Sequence, residues 1–183
     1  GTFLINSAAH IWGTQPYSEE NSSRDSFWLA FLTFGEGYHN FHHTFQADYR
    51  NGHKWYHVDP SKWWIKSFKY LGLNSHLKST PNHSIEVAKA NMQFKKKAQR
   101  LEKRNVHIHK FEDRLAKCRD NLRSKMFEFQ KAKKELRNMA NDSKEAMKSK
   151  INELRDSVKR ARNDMRQLFK DMKIEYKHAK LSA

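Results

Sequence analysis

Apolar residues recur at helical spacing through the second half of the chain, from Ser84 to Ala183. Two runs advance in alternating steps of three and four residues, the period of a seam between packed helices. They consist of Ile108, Phe111, Leu115, Cys118 and Leu122, and of Met147, Ile151, Leu154, Val158, Ala161, Met165, Leu168 and Met172. No glycine or proline interrupts this half, and the polar stretch 138–143 separates the runs. The pattern predicts two long helices, either continuous or folded as an antiparallel hairpin, with Cys118 as a small core residue.

The first half shows shorter apolar segments, at 1–12 and 27–32, between polar loops. A further helix is predicted to begin at Asp59-Pro60, since Asp is favoured as a cap and Pro at the first helical position, and to end at Gly72. Its lysines at 62, 66 and 69 share one side, and its apolar residues lie on the other. Such a basic amphipathic helix suits the headgroup layer of a membrane or the surface of a soluble core. All predicted elements are helices, so the predicted fold class is all-α.

Composition separates the two halves further. The 183 residues include 36 Lys and Arg against 20 Asp and Glu, a net charge of +16. Residues 84–183 carry 29 basic and 14 acidic side chains (+15), whereas residues 1–83 carry 7 and 6 (+1) and all five tryptophans. The basic half is compatible with a solvated helical surface or with attraction to anionic lipid headgroups. Nucleic acid is a weaker candidate because aromatic residues for base stacking are sparse and no binding motif is present.

Two absences limit the function classes. The single cysteine excludes a disulfide framework and a thiolate-rich zinc site. No window of 18 apolar residues exists, so the sequence predicts no complete transmembrane helix. The chain begins at Gly1 rather than Met, which suggests a processed chain or a fragment.

Histidines carry the candidate chemistry. His39, His42 and His43 stand at i, i+3 and i+4, so on a helix their imidazoles share one face. His10 lies on an apolar segment four residues after Asn6, again on one helical face. Neutral imidazole is a favoured ligand of iron, zinc and copper, and three histidines within five residues favour a metal site. The zinc-protease pattern His-Glu-x-x-His is absent, and composition leaves the choice of metal open. The remaining histidines lie among polar residues and are interpreted as ordinary surface side chains.

Three segments, in this order, closely resemble the membrane-bound fatty acid desaturases of the acyl-CoA delta-9 (stearoyl-CoA desaturase) type. They are Asn6-Ser7-Ala8-Ala9-His10, the stretch GEGYHNFHHTF over 35–45, and Asp48-Tyr49-Arg50. His39 to His43 match that family's third histidine box, His-x-x-His-His. The stretch 55–63 is more similar to the bacterial branch of the family than to the animal branch.

The resemblance implies a di-iron centre with His10, His39, His42 and His43 as ligands and Asn6 as a ligand through water. No catalytic residue beyond the metal ligands is implied. The family reaction introduces a cis double bond, here at delta-9, into a saturated fatty acyl-CoA or acyl-lipid during unsaturated fatty acid biosynthesis, with reduction of O2 to water. Electrons come from cytochrome b5 or a ferredoxin-like donor.

The same resemblance implies the C-terminal part of an integral membrane desaturase, exposed mostly on the cytosolic side. Residues 1–80 would comprise the end of the last transmembrane helix and cytosolic cap helices. Residues 84–183 would form a basic coiled-coil tail able to self-associate, with no nucleic-acid partner. Two earlier histidine boxes that the family requires do not precede His10 here, so the segment alone is expected to be inactive. The alternatives are a non-catalytic coiled-coil interaction module on a degenerate desaturase end, and a related di-iron lipid hydroxylase.

Overall fold

The computed structural model describes the backbone of residues 2–138 and 144–181, and side chains from residue 7 onwards within those ranges. Within these ranges the chain is mostly helical and contains no strand, only two isolated bridges, which confirms the all-α prediction. The chain divides into two compact units, Gly1–Pro81 and Asn82–Ala183. None of the described helices has both the length and the apolar character needed to cross a membrane.

The first unit contains four short helices. They are α1 (Thr2–Ile11), α2 (Phe27–Leu32), α3 (His39–Thr44) and α4 (Pro60–Tyr70). Loops tie them together through backbone hydrogen bonds: Arg24 N donates to Ala9 O at 2.8 Å, and Ser26 N donates to Gly37 O at 2.8 Å. A Cβ atom at Gly37 would lie only 2.0 Å from the backbone nitrogen of Ala30, so this glycine lets the loop before α3 lie directly on α2.

Helix α4 begins and ends as its sequence predicts. Asp59 caps it by accepting a hydrogen bond from Lys62 N, Pro60 occupies the first turn, and Gly72 follows its end with a φ of +75°. Its apolar face does not cover a core among the described residues, because Trp64 and Leu71 are 67% and 69% exposed. Lys62 is buried, so it does not form an exposed basic stripe with Lys66 and Lys69.

The described residues of the second unit form three helices, whereas the sequence predicted two. They are α5 (Asn82–Glu102), α6 (His109–Asn138) and α7 (Lys144–Leu181). The unpredicted break lies at 103–108, where Asn105 adopts a φ of +55° and Val106 N donates to Leu101 O. Asn tolerates this left-handed conformation better than most residues, so the chain turns without glycine or proline. The sequence also predicts a helix start at Asp142, with Glu145 three residues later as in a capping box, but this position lies outside the described residues.

Helices α6 and α7 run antiparallel. Lys110 pairs with Glu175 and Arg114 with Asp171, so the sequence numbers rise along one helix as they fall along the other. Helix α5 lies parallel to α7, since Glu86 pairs with Arg162 and Arg104 lies 6.0 Å from the Tyr176 ring. Most residues of the predicted seams are buried between the helices, and Leu168 and Met172 are almost completely buried.

Replacing Leu168 with alanine should destabilise the three-helix unit by about 2–5 kcal/mol, because it removes a fully buried side chain and leaves a cavity. Ile174→Ala on the same helix is the matched control, since Ile174 is half exposed and its truncation should change little. Chemical denaturation followed by far-ultraviolet circular dichroism measures both. Equal stability of the two variants would contradict the packing described for α7.

Candidate metal centre

Three histidines from two helices meet in the first unit. His10 lies in the last turn of α1, and His39 and His43 lie on α3. The small residues Ala8 and Ala9 precede His10 and pack in a buried cluster with Leu29 of α2. Ala9 is completely buried. The small side chains of Ala8 and Ala9 allow α1 to approach its neighbours closely. His10 can therefore contact the histidines of α3.

The imidazole nitrogens of the three histidines point at one another. The His39 Nε2 atom lies 3.2 Å from His10 Nε2 and 3.1 Å from His43 Nε2. One ring nitrogen from each histidine falls within 4.8 Å of the others. Two nitrogen ligands at 2.0–2.1 Å from one metal ion are themselves separated by about 2.8–3.4 Å at octahedral or tetrahedral angles. Both distances from His39 Nε2 therefore fit imidazoles that bind a single transition-metal ion.

The protonation states of His39 and His43 also suit a metal. Burial, followed by the neighbouring His43, His10 and His42, lowers the pKa of His39 to about 4. Burial and the same kind of histidine neighbours also lower the pKa of His43. Both imidazoles are consequently neutral near pH 7 and offer a lone pair. The residues present therefore fit a histidine-bound metal ion by both geometry and charge.

His42, the remaining member of the histidine box, does not join this cluster. It is exposed, and its ring centroid lies 6.4 Å from that of His39 and 5.8 Å from that of His43. It belongs to the same short helix, so it borders the cluster. The side chain of Asn6 lies outside the described residues. Among the histidines interpreted as ordinary surface residues, His53 and His57 are half buried in ring contacts with Phe41 and Tyr38, whereas His76 is exposed.

Hydrogen bonds hold His10 and α3 in place, and sequence inspection missed them. Ser22 Oγ lies 2.8 Å from His10 Nδ1, on the ring atom opposite the cluster. Such a contact fixes which nitrogen is available to a metal. Asp25 accepts a hydrogen bond from Phe41 N at 3.0 Å. The only sequence signal for these partners was the concentration of Ser, Asn and Asp in the loop over 18–26.

Asn40, inside the histidine box, is a buried connector. Its Oδ1 atom accepts a hydrogen bond from Tyr17 N at 3.0 Å, and its Nδ2 atom donates to Ser18 O at 2.8 Å and Ser23 O at 3.1 Å. A fully buried amide is stable only when its donors and acceptors are used, as they are here. Asn40 therefore anchors the loop that carries Ser22 to the helix that carries His39.

Asp59 and Lys62 support the turn on the other side of α3. Asp59 is completely buried and accepts hydrogen bonds from Asn51 N, Gly52 N and Lys62 N. The Lys62 ammonium donates to three carbonyls, those of Gly52, Lys54 and His57. Burial lowers the pKa of Lys62, while the charge of Asp59 opposes that effect.

The same cap contacts the turn before the histidines. Gly35 has a φ of +102°, and a Cβ atom there would lie 2.8 Å from Asp59 Oδ1. The turn that leads into His39 therefore packs directly on the α4 cap.

Comparison with known proteins gives one consistent likeness. The chain is 48% identical over 95 residues to "Acyl-CoA desaturase 1" of Saccharomyces cerevisiae, which is 52% of this chain and 19% of that protein. It is 46% identical over 85 residues to "Probable acyl-CoA desaturase" of Schizosaccharomyces pombe, covering 46% and 18% of the two chains. It is 46% identical over 78 residues to "Delta-9 desaturase-like 1 protein" of Arabidopsis thaliana, covering 43% and 26%. No protein-family profile matches the chain.

These relatives confirm the resemblance to the acyl-CoA desaturases over about half of this chain. The chain spans only about a fifth to a quarter of the length of the relatives it matches.

Lys62→Met should destabilise the first unit by about 2 kcal/mol, because three carbonyls lose their charged donor. Lys66→Met is the matched control, since Lys66 is exposed on the same helix. Tryptophan fluorescence during denaturation measures this unit alone, because all five tryptophans lie in it. If both variants unfold at the wild-type denaturant concentration, Lys62 does not stabilise the loop.

Proposed function

We propose that this chain, which is similar over half its length to acyl-CoA desaturases, is part of an oxygen-dependent di-iron fatty acyl desaturase. The observation that carries the proposal is the convergence of His10, His39 and His43 nitrogens at metal-ligand spacing. These are residues of the segments on which the resemblance rests. The reaction proposed is formation of a cis double bond, at delta-9, in a saturated fatty acyl-CoA of the stearoyl type or in an acyl-lipid.

In this proposal one iron would be held by His10, His39 and His43. His42 would be a ligand in the remainder of the di-iron centre, and Asn6 would be a ligand there through water. A di-iron centre supplies the oxidising power that removal of two hydrogens from an unactivated acyl chain requires, with O2 as the acceptor. Ser22 orients His10, and Asn40 and Asp25 hold α3 against the loop. Three clustered imidazoles are too few for two iron ions, so further ligands must come from a longer parent chain. The short coverage of the relatives supports this.

The exposed apolar surface supports a membrane setting for the parent protein. Large side chains that are more than half exposed lie on α1, α2 and α4 and near their ends: Ile11, Trp12, Trp28, Phe31, Leu32, Phe34, Trp63, Trp64 and Leu71. Exposed apolar patches of this kind mark contacts with lipid or with other protein segments. We propose that residues 1–80 face the cytosol within an integral membrane desaturase and receive electrons from cytochrome b5 or a ferredoxin-like donor. Residues 84–183 form its coiled-coil tail, which is able to self-associate.

The isolated 183-residue chain should bind fewer than two irons tightly and should not desaturate stearoyl-CoA with a chemical reductant. The reason is the incomplete ligand set described above. Metal analysis of the purified protein, together with chromatography of acyl products, provides the measurement. Stoichiometric di-iron or turnover would contradict the view that the segment depends on ligands from elsewhere.

The complete parent enzyme, expressed in a desaturase-deficient host, tests the assignment directly. Replacing His10, His39, His42 or His43 singly with alanine should abolish the unsaturated product, because a metal ligand is lost. Asn6→Ala should cost about 10- to 100-fold, since its contact is expected through water. His76→Ala, at an exposed histidine, should leave product unchanged at equal protein level.

Wild-type product from the His10 or His42 variant would exclude the di-iron assignment. Hydroxylated instead of unsaturated acyl chains from the wild-type enzyme would identify a lipid hydroxylase.

A further inference from the structure

The charges of α7 are separated by side. On a helical wheel at 100° per residue, eleven residues from Lys144 to Lys180 fall within one sector about 80° wide. Ten of these eleven residues are basic, and the exception is Asn152. Six exposed members between 159 and 180 form what we call the basic stripe: Lys159, Arg166, Lys170, Lys173, Lys177 and Lys180.

The acidic residues of α7 lie elsewhere. All six fall in a separate sector about 120° wide: Glu145, Glu153, Asp156, Asp164, Asp171 and Glu175. Two of them form ion pairs with α6, at 2.7 Å between Asp171 and Arg114 and at 3.0 Å between Glu175 and Lys110. Asp171 and Glu175 therefore pair with α6 rather than with the basic stripe.

Helix α5 and the turn after it add positive charge beside the stripe. Lys97 lies 5.9 Å from the Phe169 ring of α7, and Arg104 lies 6.0 Å from the Tyr176 ring. Burial, and after it the positive charges of Arg100 and Lys173, lowers the pKa of Lys97, so these cations lie close together. Glu86, near the start of α5, forms an ion pair with Arg162 of α7, far along the helix from Arg104.

The basic stripe is a row of positive charges along one helix, and such a row suits a planar anionic partner. From Lys159 to Lys180 the basic stripe extends about 32 Å along a single helix. A bilayer surface presents negative headgroups along the whole of such a line. A nucleic-acid duplex turns its phosphate backbone away within each helical turn. Single strands need aromatic platforms, and Phe169 and Tyr176 are half buried beneath Lys97 and Arg104.

We propose that the basic stripe, with the adjacent end of α5, is a docking surface for a bilayer containing anionic phospholipid. The exposed apolar residues of the first unit favour a lipid surface over nucleic acid as the partner of this chain. The proposal does not depend on the metal centre, because it concerns a different unit and a different chemistry.

Vesicle sedimentation with the full 183-residue chain tests the proposal. Binding to phosphatidylcholine alone is compared with binding to vesicles that contain about one-third phosphatidylserine. The stripe variant combines Lys159→Gln, Lys170→Gln, Lys173→Gln and Lys177→Gln. The control variant removes the same charge from the outer face of α6 through Lys117→Gln, Arg123→Gln, Lys131→Gln and Lys134→Gln. All eight positions are exposed, and glutamine preserves helix propensity.

We expect the wild-type chain to prefer phosphatidylserine vesicles, and this preference to fall about tenfold or more in the stripe variant. The control variant should retain most of the preference, and raising the salt to about 0.5 M should remove it from the wild type. Equal loss in both variants, or no preference in the wild type, overturns the proposal. Tighter binding of a duplex oligonucleotide than of the anionic vesicles also overturns it. Circular dichroism of each variant checks folding, and the salt titration of the wild type remains decisive if a variant does not fold.

Discussion

The buried hydrogen bonds of Asn40 hold the loop over 17–23 against α3 in the first unit. The helices of this unit are short, and many of its large apolar side chains are exposed. Asn40 lies on α3 and forms hydrogen bonds with the loop over 17–23. Each of these hydrogen bonds replaces one that water would otherwise make. That loop carries Ser22, which contacts His10. The amide therefore links the two helices whose histidines meet, although it does not itself contact the cluster.

A second polar pair, Asp59 and Lys62, works in the same way in the loop that follows α3. Asp59 satisfies backbone donors that a loop without secondary structure would leave unpaired, and Lys62 satisfies the acceptors. Because Gly35 packs on this cap, the position of His39 is constrained from both sides. Rigid support of this kind keeps ligand nitrogens at a fixed spacing, which a binding site for a metal requires.

Local sequence rules predicted the parts of the structure that depend on local physics. The cap and stop of α4 follow from Asp59, Pro60 and Gly72, and the buried seam of α7 follows from its apolar period. The spacing of His39 and His43 placed them on one helical face, and their nitrogens are 3.1 Å apart. The contact of His10 with them spans 29 residues and had no local signal; only the family resemblance indicated it. The turn at Asn105 was missed because neither glycine nor proline marks it, and the burial of Lys62 because its carbonyl partners lie in an irregular loop.

The antiparallel arrangement of α6 and α7 sets an order for folding of the second unit. Contacts between these helices can begin near their connection and extend outwards, from Leu122 with Val158 to Lys110 with Glu175. Each added contact then closes only a short additional loop. Helix α5 must instead meet α7 across 76 residues, from Glu86 to Arg162. We therefore expect the α6–α7 hairpin to form before α5 docks onto α7, because the hairpin reduces the loop-closure entropy between these distant segments.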